Sequence, residues 1–162
     1  MSHTGIRQWV DEVYKALEEA IAQATPEDMA FVPHDPAATA DEERGWTIPH
    51  VIAHLTATEE EAASHAASLA RGVVPEGRSR YEVEWEQLTT PAQVRQRLAE
   101  SERMVCGYLA AWPDSPHLDV TFTPIPPLGP LNAITRLALG TVHTENHLAQ
   151  IREILRQRQS AG

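Results

Sequence analysis

The chain has 162 residues, 42% of them hydrophobic, which suffices for one compact domain with a buried core, and no apolar run reaches the roughly 20 residues that cross a bilayer. Its 23 acidic residues outweigh 13 basic ones for a formal charge of −10, and the basic residues are scattered, which argues against the clustered cationic surface that nucleic acid requires. The start lacks the basic and then apolar pattern of an export signal, and the lone Cys106 has no partner for an internal disulfide, so a cytoplasmic protein without membrane association is expected.

Residues Thr4 to Ala24 place Ile6, Val10, Val13, Leu17 and Ile21 at steps of three and four, the stripe of an amphipathic helix. From Thr25 to Gly45 the prolines at 26, 33 and 36 and an acidic stretch break the pattern, so a long connection is expected. Thr47 caps a second predicted helix whose early Pro49 lies where a missing N–H is harmless, and Val51, Leu55, Ala62, Ala66 and Leu69 continue its stripe to Gly72. A second connection, Val73 to Thr89, carries Pro75, Gly77, Tyr81 and Trp85. Thr90 and Pro91 open a third helix with Val94, Leu98, Val105, Tyr108, Leu109 and Trp112, which Pro113 stops. Cys106 within that pattern reads as a buried structural thiol rather than a reactive one. His117 to Pro130 is rich in proline and glycine around a short predicted strand, Leu118 to Phe122, before a fourth helix from about Leu131 to Gln157.

Four such helices predict an all-α fold, a four-helix bundle forming a single domain over residues 1–162. The connections are long, and the one between the second and third helices can cross the bundle and let those two run parallel. Trp9 and Trp112 lie outside a single stripe, which suggests an apolar face available to a second copy of the chain.

Two of the eight histidines' pairings fall at i and i+4, His50 with His54 and His143 with His147, a spacing that lets both rings of a pair reach one ion. On the fourth helix His147 sits near the middle of the apolar sector and His143 at its edge, while on the second His54 borders the apolar stripe and His50 turns further toward solvent. His54, His143 and His147 are therefore the candidate ligands of one divalent metal ion. The competing reading is that each inward histidine is satisfied by its own hydrogen bonds, and only geometry decides between the two.

The segment GWTIPHVIAHLTATEE, Gly45 to Glu60, resembles the signature of the DinB/YfiT-like superfamily, in which a tryptophan and a capping Ser or Thr precede a helix with a His-Leu step. HTENHLAQIREIL, His143 to Leu155, resembles that superfamily's last helix, with two ligand histidines four apart followed by Gln-Ile. The resemblance implies a bundle in up-down-down-up order, a metal on His54, His143 and His147, and commonly a homodimer. Some members, the bacillithiol transferases and mycothiol-dependent isomerases, use the metal to activate a low-molecular-weight thiol. The isomerases often carry Glu at the first position of the last-helix pair, where this chain has His143.

Three protein ligands leave positions open on an ion, a catalytic layout. Zinc or nickel is expected, with iron and manganese as alternatives. The expected function is transfer of a small thiol to an electrophilic small molecule, or a related hydrolysis, with a non-catalytic metal-binding stress-response protein as the alternative and a metal-free interaction module third. Gln150 is placed to orient a ligand ring, and Glu145 points away from the apolar sector. Trp46, Tyr81, Trp85 and Phe122 are candidates to line a pocket, and no Gly-x-Ser-x-Gly elbow or Gly-rich phosphate loop is present.

Overall fold

The apolar stripes and caps resolve into four long helices and one short one in a computed structural model that describes residues 1–34 and 45–162. Helix α1 (His3–Ile21) is capped by Ser2, whose hydroxyl accepts from the Gly5 N–H at 3.1 Å, and it buries the predicted stripe together with Tyr14. Helix α2 (Pro26–Ala30) was not expected; Thr25 and Asp28 form a reciprocal capping box that closes this single turn inside the first connection. The rest of that connection, residues 35–44 with Pro36 and the acidic stretch, lies outside the described residues.

Helix α3 (Ile48–Ala70) is capped by Thr47, carries Pro49 in its first turn, and ends at Gly72, whose φ of 82° suits a residue without a side chain. It is buried almost all round rather than along one stripe. Helix α4 (Pro91–Ala110) opens with the predicted Thr90 cap, reinforced by Gln93, and helix α5 (Ala133–Ala161) with an Asn132 and Thr135 box. Short 3-10 turns, Trp85–Gln87 and Pro126–Leu128, interrupt the two later connections.

The predicted strand over Leu118 to Phe122 does not form. Only one bridge joins Phe122 to Leu131, because prolines at 124, 126, 127 and 130 supply no N–H and Asn132 already caps α5.

Contacts between helices fix their neighbours: α1 and α3 each pack against both α4 and α5. The His3 ring meets the Leu109 carbonyl at 3.1 Å and Tyr14 OH meets Ser101 Oγ at 2.8 Å, so α1 and α4 run antiparallel. On α3 and α5, His54 faces His143, Glu59 faces Thr141 and Thr144, and Ala62 faces Gly140, again an antiparallel register. Arg97 on α4 reaches Thr56 and Glu60 on α3, tying those two helices together.

Two expectations about single residues are corrected. Trp112 is buried, its ring stacked on His3 at 4.7 Å, and Trp9 packs partly against the core while its indole N–H donates to Glu145 at 2.7 Å. Trp112 therefore offers no free apolar surface to a second copy, and Trp9 keeps only part of its ring exposed. Cys106 is only half-buried, its thiol 3.8 Å from Asp11 on α1, because the α4 stripe passes through Val105 and Leu109 instead. Burial and the neighbouring Asp11 carboxylate raise its pKa, so it is an unreactive thiol without being a core one. Among the described residues no helix is long and apolar enough to cross a membrane.

Candidate metal centre

Histidines from two helices meet where α3 and α5 pack most closely. Gly140 sets that approach: a Cβ there would lie 2.5 Å from the Ala62 Cβ and 3.0 Å from a Glu59 oxygen. One and two turns further along α5, His143 and His147 project toward α3, and His54 projects back. His143 Nε2 lies 3.3 Å from His54 Nε2 and 3.2 Å from His147 Nε2, and the ligand atoms of all three fall within 4.8 Å of one another. Two nitrogens bound tetrahedrally at about 2.05 Å stand about 3.3–3.4 Å apart, so both of these edges suit a divalent ion on imidazole ligands.

Proton placement favours the same conclusion. His147 Nδ1 lies 2.8 Å from Gln150 Oε1, so it donates there and its Nε2 bears a lone pair. His54 Nδ1 accepts from Arg80 Nη2 at 2.8 Å, which puts the ring proton on Nε2. His143 Nε2 then faces a donor on one side and a lone pair on the other, and as it is either protonated or bare, one of the two contacts is always unsatisfied. A cation removes the conflict. Ligation through His54 Nε2 requires its other tautomer, with Nδ1–H turned to Glu82, whose Oε2 is 3.7 Å away and which is itself paired with Arg80. Three histidines that can hold a metal ion are thus present.

Burial keeps the His54 and His143 rings uncharged. It pulls the His54 pKa down to about 3, helped by the Arg80 guanidinium, and the His143 pKa down to about 4, so their lone pairs are available at neutral pH. His50, expected toward solvent, is half-buried between Trp46 and Trp85, with ring centroids at 3.9 and 4.9 Å, and takes no part in the cluster. Trp46 also meets the edge of His54 at 4.9 Å. A cleft of about 450 Å³ opens on His54 and His143 and is lined further by Phe122, Leu139, Arg80 and Arg136, whereas Tyr81 is exposed elsewhere.

Sequence reasoning missed Glu59. It is 1% exposed and accepts from the Thr141 hydroxyl at 2.9 Å and the Thr144 hydroxyl at 2.8 Å. The signal was available, because Glu59 lies four residues after Leu55 and three before Ala62, on the apolar stripe itself. Burial raises its pKa from 4.5 to about 7 against the opposing pull of those two hydroxyls. A raised folded-state value means that the folded chain holds the extra proton; the resulting stabilisation is complete below pH 4.5 and lost as pH rises through 7. Glu59→Gln cannot ionise. In urea titrations of chelated protein, the stability of the wild type relative to Glu59→Gln is expected to fall by about 3 kcal/mol between pH 4.5 and pH 8. A difference that stays flat with pH would show that Glu59 is ionised throughout.

An all-α protein with a histidine cluster between two packed helices, beside a cleft, defines a class of helical proteins able to carry a metal. Against models of known families, residues 10–151 match that of the DinB superfamily, and the chain belongs to that superfamily. No curated protein and no solved structure matches the chain.

Proposed function

We propose that His54, His143 and His147 hold one divalent metal ion, zinc or nickel, and that the protein uses it to transfer a low-molecular-weight thiol to an electrophilic small molecule, or in a related hydrolysis. The observation that carries this reading is the convergence of three Nε2 atoms, at 3.2 and 3.3 Å, two of them from histidines on the wall of a cleft large enough for a small molecule. Bound there, the ion supplies Lewis acidity that favours a thiolate over a thiol and polarises an electrophile. Neutral imidazoles leave its charge uncancelled, as carboxylate or thiolate ligands would not.

The chain's residues do the rest. Gln150 holds the His147 ring in place, and Glu82, itself paired with Arg80, would receive the His54 Nδ1–H. His147 is 5% exposed, which keeps bulk water from that side, while His54 and His143 face the cleft where a thiol and an acceptor meet. In the transfer the thiol gives up its proton to solvent, its sulfur bonds to the electrophilic carbon, and that carbon expels its leaving group with the bonding pair. Cys106 does not line the cleft.

Metal-loaded protein is therefore expected to accelerate the reaction of bacillithiol, mycothiol or glutathione with monochlorobimane or chlorodinitrobenzene. The rate should fall on chelation and in His143→Ala and stay unchanged in Cys106→Ala. Fully metallated protein that accelerates none of the three thiols would leave a non-catalytic metal-binding protein.

A further inference from the structure

Three of the chain's 13 basic residues, Arg78, Arg80 and Arg136, line the one cleft beside the histidine cluster, in a protein of charge −10. Their pairing differs. Arg80 is paired with Glu82, and Arg78 Nε lies 3.7 Å from Glu61, which also accepts from the Ser79 N–H at 3.1 Å. Arg136, in the first turns of α5, is 6% exposed, and among the described residues no carboxylate lies within 4 Å of its guanidinium. Its Nε is buried without a hydrogen-bond partner. Glu61 and Glu59 act on it only from further away, and each is already held, Glu59 by Thr141 and Thr144.

Burying a cation without its counter-ion is costly, and a chain with 23 acidic residues has ample means to pair one. An unpaired arginine facing a cavity is what a missing anion leaves behind. With Arg78 set against Glu61 and Arg80 against Glu82, one positive charge remains on the wall, which matches a monoanion better than a doubly charged phosphate. The planar guanidinium offers two parallel N–H donors, the geometry a carboxylate accepts. Phe122, Ile125 and Leu139 supply apolar surface in the same cleft, and His65 Nδ1 there is also buried without a partner.

We infer that Arg136 anchors a carboxylate, so that the cleft takes a small molecule with a carboxylate at one end and an apolar body that reaches toward His54 and His143. The inference rests on reading the cleft as the substrate site of the histidine centre. The carboxylate belongs either to the thiol or to the molecule that accepts it, and the test separates the two.

Calorimetric titration of the chelated full chain uses two matched pairs: 4-phenylbutyrate against 4-phenylbutanamide, and N-acetylcysteine against its amide. At least one carboxylate is expected to bind tenfold or more tightly than its neutral partner, and the pair that discriminates names the source. Arg136→Gln should erase the discrimination and Arg136→Lys keep part of it. Both variants should melt no lower than the wild type, since a buried unpaired charge is removed or made more compact. Discrimination by neither pair, or discrimination that survives in Arg136→Gln, overturns the inference. Metal content is measured on the same preparations: a chain that takes up no metal yet discriminates through Arg136 supports the anchor and removes the metal reading. A metallated chain that discriminates by neither pair does the reverse.

Discussion

His147→Ala is expected to leave the protein without metal, whereas wild type purified without chelator carries about one divalent ion per chain. His147 is the most buried of the three histidines, and its ring is fixed by Gln150 at 2.8 Å. Removing an outer partner of a ligand typically weakens a site about 10–100-fold, the effect expected of Gln150→Ala, and removing the ligand itself costs more. His54→Ala should lose the ion as well, because the α3 side of the cluster then offers no nitrogen. His50→Ala should keep it, since that ring lies between two tryptophans. Elemental analysis of the five proteins decides the matter. Equal loss in His50→Ala and His54→Ala, or a wild type with no stoichiometric metal after incubation with zinc, nickel, iron and manganese, would refute the three-histidine site.

Gly140→Val should damage both the fold and the site. In an open helix, replacing glycine removes about 1 kcal/mol of entropic penalty, and Gly140→Ala would then stabilise. Here the added Cβ meets the Ala62 Cβ at 2.5 Å, well inside contact distance, and both atoms sit on helical backbone that cannot swing aside. Overpacking of this kind costs about 1–3 kcal/mol, more for valine's branched side chain than for alanine's single methyl. Each kcal/mol lowers the melting temperature of a chain this size by about 2–4 °C. Separation of α3 from α5 also moves His54 away from His143 one turn along, so metal affinity should drop in Gly140→Val even at temperatures where it stays folded. A Gly140→Ala protein that melts higher than wild type would show that the helices are not in contact there.

The four long helices were legible because each carries an apolar repeat, joined in α3 and α4 by the caps Thr47 and Thr90, and both signals act over neighbouring residues. Helix α2 has the cap, Thr25 with Asp28, but at five residues no room for a repeat. The strand over Leu118 to Phe122 looked plausible from its residue types; pairing depends on a second strand, which a run of prolines cannot provide. The three histidines were legible from helix phase together with the resemblance to the DinB superfamily. Arg136 was not, because a charged residue on a helix is usually solvated; Glu59 was passed over on the same assumption although its position lies on the apolar stripe. His50 escaped for a related reason: its wheel position points off the core, and only the tryptophans from outside the helix cover it.

The burial of α3 on all sides also bears on how the chain is made. Its partners α4 and α5 follow it from the ribosome, and His143 is added 89 residues after His54. At synthesis rates of about 5–20 residues per second, that interval lasts roughly 4–18 s. Throughout it the nascent chain carries a helix whose main partner, α5, is still missing, and the three nitrogens exist as a set only after synthesis has reached His147. On the proposed reading, loading with an ion would be a late event in the life of each molecule, one that waits for α5.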